Sequence, residues 1–291
     1  MKNFKGYLFI ALAALSWGIS ATVAKHFFNN HYSPLIVVQM RVTISFIILF
    51  AYFFFKKKNV LKFEPKHIPL FLFVGICGVA ASNYFYYSAI KESNVATSIM
   101  LQYTAPILVI LYAALVQKEK ITRQKYTALF LSLLGIFLVI GGFHTNIFSG
   151  SNKGIIYALL AAIAFANFNI SGKFLTQKYS SWTSLIYVLA SASIFWFVVT
   201  LPNTIFSSHY SIEEWGVFLL ISILSILIPY SSYFYGLKFI PSSKAIITST
   251  LEPVIAVAAE ILFLGGVMTT SQYFGAICVL TAIIFLQMSK K

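Results

Sequence analysis

The sequence predicts an all-α integral membrane protein in which ten transmembrane helices form two inverted-topology repeats of five helices. Three observations support this fold class: long apolar segments, the placement of the basic residues, and a similarity between the two halves of the chain. Of the 291 residues, 59% are hydrophobic and only 10% are charged. A soluble domain cannot bury so large an apolar fraction, so the composition favours a membrane protein.

Apolar segments of membrane-spanning length recur along the whole chain. A hydrocarbon core about 30 Å thick requires about 20 apolar residues in one helix. In lipid, every backbone amide must be paired within its own span, so such segments are expected to be helices. Ten segments meet this requirement, near residues 6–25, 34–55, 68–90, 94–116, 124–143, 154–174, 183–201, 214–237, 242–264 and 271–288.

The basic residues predict the orientation of these spans. The formal net charge is +14, but the lysines form short clusters between apolar segments, not a face that would bind nucleic acid. If the N-terminus is cytoplasmic, 17 basic residues lie inside and three lie outside, with Arg41 left within a span. Such an excess follows the positive-inside rule. We therefore expect a multi-pass protein of the cell (inner or plasma) membrane with both termini in the cytoplasm.

The two halves of the chain match at an offset of about 147 residues, which pairs Pro106 with Pro253 and several tyrosines with one another. Residues 1–146 and 150–289 are accordingly predicted to be two repeats. Because each repeat has an odd number of spans, the second enters the membrane from the opposite side. Inverted repeats are the usual architecture of alternating-access transporters, whose binding site lies near the membrane midplane.

The stretch TSTLEPVIAVAAE, residues 248–260, contains two of the seven acidic residues of the chain. Glu252 lies near the middle of its predicted span, whereas Glu260 lies close to the external boundary. A carboxylate at the centre of a bilayer costs a few kcal/mol, so Glu252 is expected to face a partner or a wet cavity. Two interpretations stay open. Glu252 either binds a cationic group of a solute or carries a coupling proton, or it only braces the helix kink at Pro253.

Other polar and aromatic side chains recur four residues apart, so that they stack on one helix face. Such a surface suits a small amphiphile, and a cation over an aromatic ring gains about 0.5–2 kcal/mol. The alternative is that these side chains only link helices, at about 0.6 kcal/mol each. Kinks are predicted at Pro106 and Pro253. The candidate substrate pathway comprises Trp17, Asn83, Tyr84, Tyr87, Gln102, Asn167, Tyr235, Thr248 and Glu252.

Arg41 lies near the external end of the second predicted span. A long basic side chain at this depth can reach the membrane surface by snorkelling. The position therefore favours a structural anchor. The alternatives are that Arg41 attracts an anionic solute or pairs with a carboxylate.

Composition and motifs argue against other classes of function. The chain has no aspartate, and no zinc site or His–Asp pair can be assembled from its residues. An intramembrane enzyme is therefore disfavoured. Without a phosphate-binding loop, ATP-driven pumping by this chain alone is not expected, and no nucleotide or other cofactor is predicted. A channel or a scaffold that recruits partners stays open as an alternative to a carrier. The five histidines lie in predicted loops or at helix ends: His26, His31, His67, His144 and His209.

Four segments resemble a known family. The stretches ALSWGISATVAK, VVQMRVTISF and YFYYSAIKESNVATSIMLQYTAPILVILYAALVQKEKIT resemble a first EamA repeat, and YFYGLKFIPSSKAIITSTLEPVIAVAAEILFLGG resembles a second. The chain is thereby identified as a member of the EamA group of the drug/metabolite transporter superfamily. The resemblance covers nearly the whole chain, and it is specific for the family but not for a substrate.

The resemblance implies a secondary active transporter, with an exporter-like action on a small organic metabolite such as an amino acid or a derivative. The alternative substrates are drugs or other cationic and aromatic compounds. A central cavity would be lined mainly by spans 1, 3, 4, 6, 8 and 9, and the partners would be the solute and the lipid bilayer, with the oligomeric state left open. The family often has a glutamate after a glycine at the ends of spans 4 and 9. Glu119 fits this pattern, whereas Gly265-Gly266-Val267 departs from it.

Overall fold

Every regular element in the part of the chain that the structure describes is a helix. The computed structural model describes residues 2–28, 34–93, 95–142, 151–199, 210–264 and 268–288. In chain order the α-helices are α1 (Lys2–Phe28), α2 (Pro34–Lys56), α3 (Ile68–Phe73), α4 (Ala81–Glu92), α5 (Val95–Gln102), α6 (Ala105–Leu115), α7 (Arg123–Val139), α8 (Asn152–Lys178), α9 (Ser181–Val199), α10 (Ile212–Ser222), α11 (Ile228–Leu237), α12 (Ser242–Ser249), α13 (Leu251–Leu264) and α14 (Thr270–Met288).

Two of the apolar segments contain a π-helical stretch. Val74–Ala80 joins α3 to α4, and Ile223–Leu227 joins α10 to α11. In a π-helix the backbone hydrogen bonds span five residues instead of four, so the side chains that follow are rotated relative to those of a continuous α-helix. The two stretches therefore influence which residues of α4 and α11 face the interior of the protein.

Seven helical stretches among the described residues are long and apolar enough to cross a membrane. The predicted spans near 6–25, 124–143 and 242–264 are not among these seven; α7, in the second of them, has only 17 residues. The all-α class is confirmed, whereas the count of ten spans stays a prediction. The seven stretches are Leu35–Lys56, Pro65–Glu92, Ala96–Leu115, Asn152–Lys178, Ser181–Val199, Ile212–Leu237 and Thr270–Met288.

Polar caps mark the beginnings of α8 and α10. The Ser151 hydroxyl accepts a hydrogen bond from the Gly154 backbone amide at 3.1 Å. Ser211 and Glu214 form a reciprocal capping box, in which each side chain accepts from the backbone amide of the other residue. These contacts satisfy amides of the first turn that have no partner within the helix. Local sequence therefore fixes where these two helices begin.

Helices from the first half of the chain pack against helices from the second half. α1 packs against α11 and α13, α8 packs against α4 and α5, and α7 packs against α14. Glycines permit the closest approaches: a Cβ atom added at Gly18 would lie 2.9 Å from the carbonyl oxygen of Glu252. Small residues at such crossings let helix backbones approach without an intervening side chain. The interface between the halves contains the polar side chains described below.

A polar contact also joins the segment after α2 to the end of α8. The Tyr179 hydroxyl lies 2.6 Å from His67 Nδ1, and it accepts a hydrogen bond from the Glu64 backbone amide at 3.1 Å. Lys178 Nζ lies 3.1 Å from His67 Nε2. A hydrogen bond from Lys66 holds the pKa of the Glu64 carboxyl below its usual range. Because the Glu64–Lys66 pair is exposed to solvent, it adds little to stability.

Candidate functional site

Two helices are interrupted inside the protein, each shortly before a proline. The first interruption separates α5 from α6, and the second separates α12 from α13. Proline lacks an amide hydrogen, and its ring clashes with the carbonyl four residues earlier. The last residues of α5 and α12, Gln102 and Ser249, stand four residues before Pro106 and Pro253, respectively. The carbonyl of Ser249 therefore loses its usual α-helical donor.

Tyr103 and Glu252 meet at these two interruptions. The Tyr103 hydroxyl lies 3.1 Å from the Ser249 carbonyl oxygen and 2.6 Å from Glu252 Oε2. Tyr103 is only 1% exposed, whereas Glu252 is half-buried. One phenol from the first half thus contacts both the freed carbonyl and the carboxylate of the second half. We call Tyr103, Ser249 and Glu252 the carboxylate site.

Five aromatic side chains, which we call the aromatic cluster, pack together close to the carboxylate site. The Trp17 ring lies 5.3 Å from the rings of both Tyr230 and Tyr233. Phe165 links the cluster to the carboxylate site, since its ring lies 6.2 Å from the rings of Trp17 and Tyr103. Such edge-on and tilted contacts are the favoured geometries of aromatic pairs. The members of the cluster are Trp17, Phe165, Phe168, Tyr230 and Tyr233.

Arg41 is linked to Tyr230 through Asn83. Its guanidinium donates to Asn83 Oδ1 and to the Tyr87 hydroxyl, and its Cζ stands 4.8 Å from the centre of the Tyr87 ring. Asn83 Nδ2 donates to the Tyr230 hydroxyl at 2.9 Å. Arg41 is only 4% exposed, so it does not reach the surface as a snorkelling anchor would. We call Arg41, Asn83, Tyr87 and Tyr230 the arginine cluster.

The remaining interior candidates make local contacts. The Thr248 hydroxyl donates back to the Lys244 carbonyl at 2.8 Å. Asn167 accepts from Ser171 Oγ at 2.8 Å, while its buried Nδ2 has no partner in the described part of the chain. Gln102 is buried at the end of α5. The Thr248 contact is of the kind that braces a helix, whereas Asn167 has a donor that no described residue uses.

Tyr84 and Tyr235 lie apart from these groups. Tyr84 lines an apolar pocket of about 330 Å³, where its ring stands 5.6 Å from the ring of Trp196. Tyr235 is 37% exposed and packs against Phe9, with 4.5 Å between the ring centres. The structure therefore brings Trp17, Asn83, Tyr87 and Glu252 together around the aromatic cluster, but it does not bring Tyr84 or Tyr235 there.

Several residues of these groups were not among the candidates from sequence. Tyr103, Tyr230 and Tyr233 contribute hydroxyls to the interior, and the Tyr233 hydroxyl donates to Asn169 Oδ1. For Tyr103 a signal existed, because it lies in the break before Pro106. Tyr233 is one of the tyrosines that the match between the two halves pairs, whereas nothing in the sequence of α11 distinguishes Tyr230 from its neighbouring aromatic residues.

Glu119, the carboxylate that fits the family pattern, links two other parts of the fold. It pairs with Lys125 at the start of α7 and accepts a hydrogen bond from Ser243 Oγ on α12 at 3.2 Å. The Lys125 side chain is only 6% exposed, while that of Glu119 is 25% exposed. Breaking a buried ion pair by removing one partner leaves the other charge uncompensated. Glu119 therefore holds the end of α6 against α7 and α12.

The variant Glu119→Gln is expected to destabilise the protein by about 1–3 kcal/mol, because buried Lys125 loses its counter-ion and the partial exposure of Glu119 moderates the loss. Thermal unfolding of the purified protein in detergent measures this change. The double variant Glu119→Gln/Lys125→Met removes both charges and is expected to recover most of the loss. Equal destabilisation in the single and double variants would contradict the role of the ion pair.

The helices and the comparisons with known proteins together define the class of the protein. It is a multi-pass membrane protein, with several helices long and apolar enough to cross a bilayer. The model of the EamA-like transporter family matches residues 4–141 and again residues 152–288. The chain therefore belongs to the EamA-like transporter family. Among its described residues, no group of three or more His, Cys, Asp or Glu side chains is placed to hold a metal ion.

Three proteins to which the chain is similar are named as transporters. The chain is 26% identical to the threonine/homoserine exporter RhtA of Escherichia coli K12, over 91% of this chain and 84% of RhtA. It is 27% identical to the riboflavin transporter ImpX of Fusobacterium nucleatum, over 97% of both chains. An uncharacterized inner membrane transporter, YicL of Salmonella typhimurium, is 23% identical over 99% of this chain and 96% of YicL.

The fold is also similar to that of a solved crystal structure. The two superpose with a TM-score of 0.72 over 98% of this chain and 95% of the other, at 17% sequence identity. At that identity the similarity concerns the fold alone. The arrangement of helices described above is thus one that an experimentally determined protein adopts.

Proposed function

We propose that the protein is a secondary active exporter of a small organic metabolite, such as an amino acid or a derivative, which works by alternating access. The single observation that carries this proposal is the carboxylate site. Glu252 lies within the protein, at the break between α12 and α13, and it bonds to a tyrosine from the other half of the chain. In transporters, solute and coupling-ion sites are typically formed by interrupted helices near the midplane.

Glu252 and Tyr103 can couple a proton to a change between the halves. The Tyr103 hydroxyl has one hydrogen but faces two acceptors, Glu252 Oε2 and the Ser249 carbonyl. When Glu252 is ionised, the hydroxyl donates to the carboxylate, because bonds to charged acceptors are the stronger ones. When Glu252 is protonated, its own hydrogen can bond to the phenol oxygen, and the tyrosine can then donate to Ser249. Protonation of Glu252 thereby redirects the Tyr103 hydroxyl, which lies in the break after α5, to the Ser249 carbonyl at the end of α12.

The proposal includes ten membrane-spanning helices in two inverted repeats, residues 1–146 and 150–289, with both termini in the cytoplasm of the cell membrane. Reciprocal packing supports it, since α1 packs on α11 and α13 while α8 packs on α4 and α5. A break before a proline also occurs once in each half. The excess of basic residues in segments on one side supports the orientation.

The substrate class draws support from the relative RhtA, whose name is that of a threonine/homoserine exporter. A carboxylate inside the membrane can face the ammonium group of such a solute. Trp17 and the tyrosines of the aromatic cluster can add a favourable contact to a cation of about 0.5–2 kcal/mol. The interior thus offers a carboxylate and aromatic rings, both of which can contact the ammonium group of an amino acid.

A second candidate function is the export of larger aromatic or cationic compounds, including drugs. The observation that favours it is the aromatic cluster, whose rings can stack on a flat solute. The relative ImpX is named a riboflavin transporter, and riboflavin contains such a flat ring system.

A channel or a scaffold differs from either carrier, because only a carrier shows saturation of flux and counterflow of solute.

The experiment that tests the proposal measures solutes released by cells that overexpress the wild type, Glu252→Gln or an empty vector. Amino acids, their derivatives and aromatic compounds in the medium are profiled by mass spectrometry. Amino acids enriched only by the wild type are the expected result. Enrichment of flat aromatic compounds instead would favour the second candidate. The absence of any enriched solute, with the protein present in the membrane, would contradict export.

The variant Tyr103→Phe keeps the ring but removes the hydroxyl from Glu252 and from the Ser249 carbonyl. A buried acceptor without a donor costs about 1–3 kcal/mol, so we expect a lower unfolding temperature and about tenfold slower transport. Solute flux into proteoliposomes and thermal unfolding measure the two effects. Tyr273→Phe is the matched control, because Tyr273 is 55% exposed on α14. Wild-type flux in Tyr103→Phe would rule out a part for this hydroxyl in transport.

A further inference from the structure

Arg41 is a buried cation whose contacts among the described residues are all neutral. Two of its five N–H groups donate, one to Asn83 and one to Tyr87, and Nε has no partner among the residues that the structure describes. The ion pairs of the described residues involve other cations, namely Lys66, Lys125 and Lys153. The side chain therefore retains donors, inside the protein, that no described side chain uses.

An isolated buried charge is strongly unfavourable. The contact with the Tyr87 ring and two neutral acceptors offset part of that cost, since a desolvated cation is attracted to the face of an aromatic ring. Guanidinium groups keep their charge in proteins and present a planar fork of donors. The group that matches this fork and also supplies the missing negative charge is a carboxylate.

The arginine cluster and the carboxylate site flank the same aromatic cluster. Tyr230 belongs to the first, since it accepts from Asn83, and its ring lies 5.3 Å from Trp17. Phe165 of the same cluster lies 6.2 Å from the ring of Trp17 and 6.2 Å from the ring of Tyr103, which bonds to Glu252. A buried cation and a carboxylate are thus each linked by direct contacts to the same aromatic cluster.

We propose that Arg41 binds the carboxylate of the transported solute while Glu252 faces its ammonium group, so that the transporter selects zwitterions. This inference rests on the proposed function and deepens it, because it assigns the anionic end of the substrate to a residue. Asn83 and Tyr87 hold the guanidinium in place. A solute without a carboxylate leaves the charge of Arg41 uncompensated, and a solute without an ammonium group leaves that of Glu252 uncompensated.

The test uses the purified full-length protein in proteoliposomes loaded with standard L-amino acids, the amine that each gives on decarboxylation, and the acid that each gives on loss of its amino group. Efflux of every compound is followed by mass spectrometry. The wild type is expected to export at least one amino acid about tenfold faster than either of its analogues. Arg41→Gln is expected to lose about tenfold in amino-acid flux and to lose the preference over the matching amine.

Two further variants separate recognition from folding. Asn83→Asp places a carboxylate where Asn83 now accepts from Arg41, so this built-in counter-ion competes with the solute and is expected to abolish the same preference while the fold remains. Arg123→Gln removes the other arginine of the chain, which is exposed at the start of α7, and is expected to leave the preference unchanged. The unfolding temperature of each variant is measured alongside its flux.

The outcomes distinguish the two proposals. If Arg41→Gln, folded as judged by thermal unfolding, keeps the amino-acid preference, the role of Arg41 is overturned while the proposed function stands. If Arg41→Gln does not fold, Asn83→Asp decides, and an unchanged preference in that variant overturns the role. Export by the wild type of amines alone also overturns it. If the wild type exports no compound of the panel, the amino-acid substrate class fails, and the assignment of Arg41 fails with it.

Discussion

Glu252→Gln is expected to abolish proton-driven transport, while solute exchange persists at a reduced rate because the neutral amide oxygen can still accept a hydrogen bond from an ammonium group. Glutamine has nearly the same shape and can still accept a hydrogen bond from Tyr103, so the fold and the break before Pro253 are retained. It cannot take up or release a proton in this pH range, so a coupling step at this residue stops. We expect the flux driven by a pH gradient to fall about 100-fold, toward the level of empty liposomes, as for other essential proton-transfer groups.

Proteoliposomes separate the two activities. A pH gradient across the membrane drives coupled transport, and counterflow with unlabelled solute at equal pH reports exchange alone. Glu213→Gln is the matched control, since Glu213 is an exposed carboxylate in the first turn of α10. Full pH-driven flux in Glu252→Gln would show that Glu252 only braces the helix kink, which is the alternative that the sequence left open.

The second large effect is expected at the contact between α7 and α14. A Cβ atom added at Gly135 would lie 2.7 Å from the Gly275 carbonyl oxygen and 2.7 Å from a methyl group of Val279. Real Cβ atoms do not approach backbone oxygen so closely, so Gly135→Ala must separate the two helices. Overpacking of this kind costs about 1–3 kcal/mol. We expect a lower unfolding temperature and less folded protein in the membrane.

Size-exclusion chromatography of the purified protein in detergent, after heating, measures the loss of folded protein. Gly216→Ala is the control, because nothing lies within 4 Å of the corresponding Cβ position on α10. There the same substitution removes only the conformational freedom of glycine, so it is expected to stabilise the helix by about 0.5–1 kcal/mol. If both variants behaved alike, the close contact at Gly135 would not limit the stability of the protein.

The helical class followed from the sequence because an apolar segment of about 20 residues can pair its backbone groups within itself in lipid only as a helix. Most predicted spans agree with the observed helices to within a few residues at each end, as for 271–288 and α14. The π-helical stretches were not predicted, since no residue type in VGICGVA or ILSIL requires them. They lie directly before α4 and α11, the helices on which Tyr84 and Tyr235 face away from the aromatic cluster.

The interior contacts of charged residues were harder to predict. Arg41 was expected near the membrane surface because its depth along one helix permits snorkelling. Its burial depends on Asn83 and Tyr87 of α4, which are more than 40 positions away in the chain. A pattern along one helix contains no information on which neighbouring helix covers it. The same applies to Tyr103 and Glu252, which are separated by 149 positions.

The sequence by itself determined that the chain is helical, apolar enough for a membrane and interrupted near Pro106 and Pro253, and it singled out Glu252. These properties are local, since they follow from the solvation of side chains and from the missing amide of proline. Only the tertiary structure decided that Glu252 bonds to Tyr103 and that Arg41 is buried among neutral partners. Those contacts depend on which helix faces meet, and close packing of many side chains sets that choice.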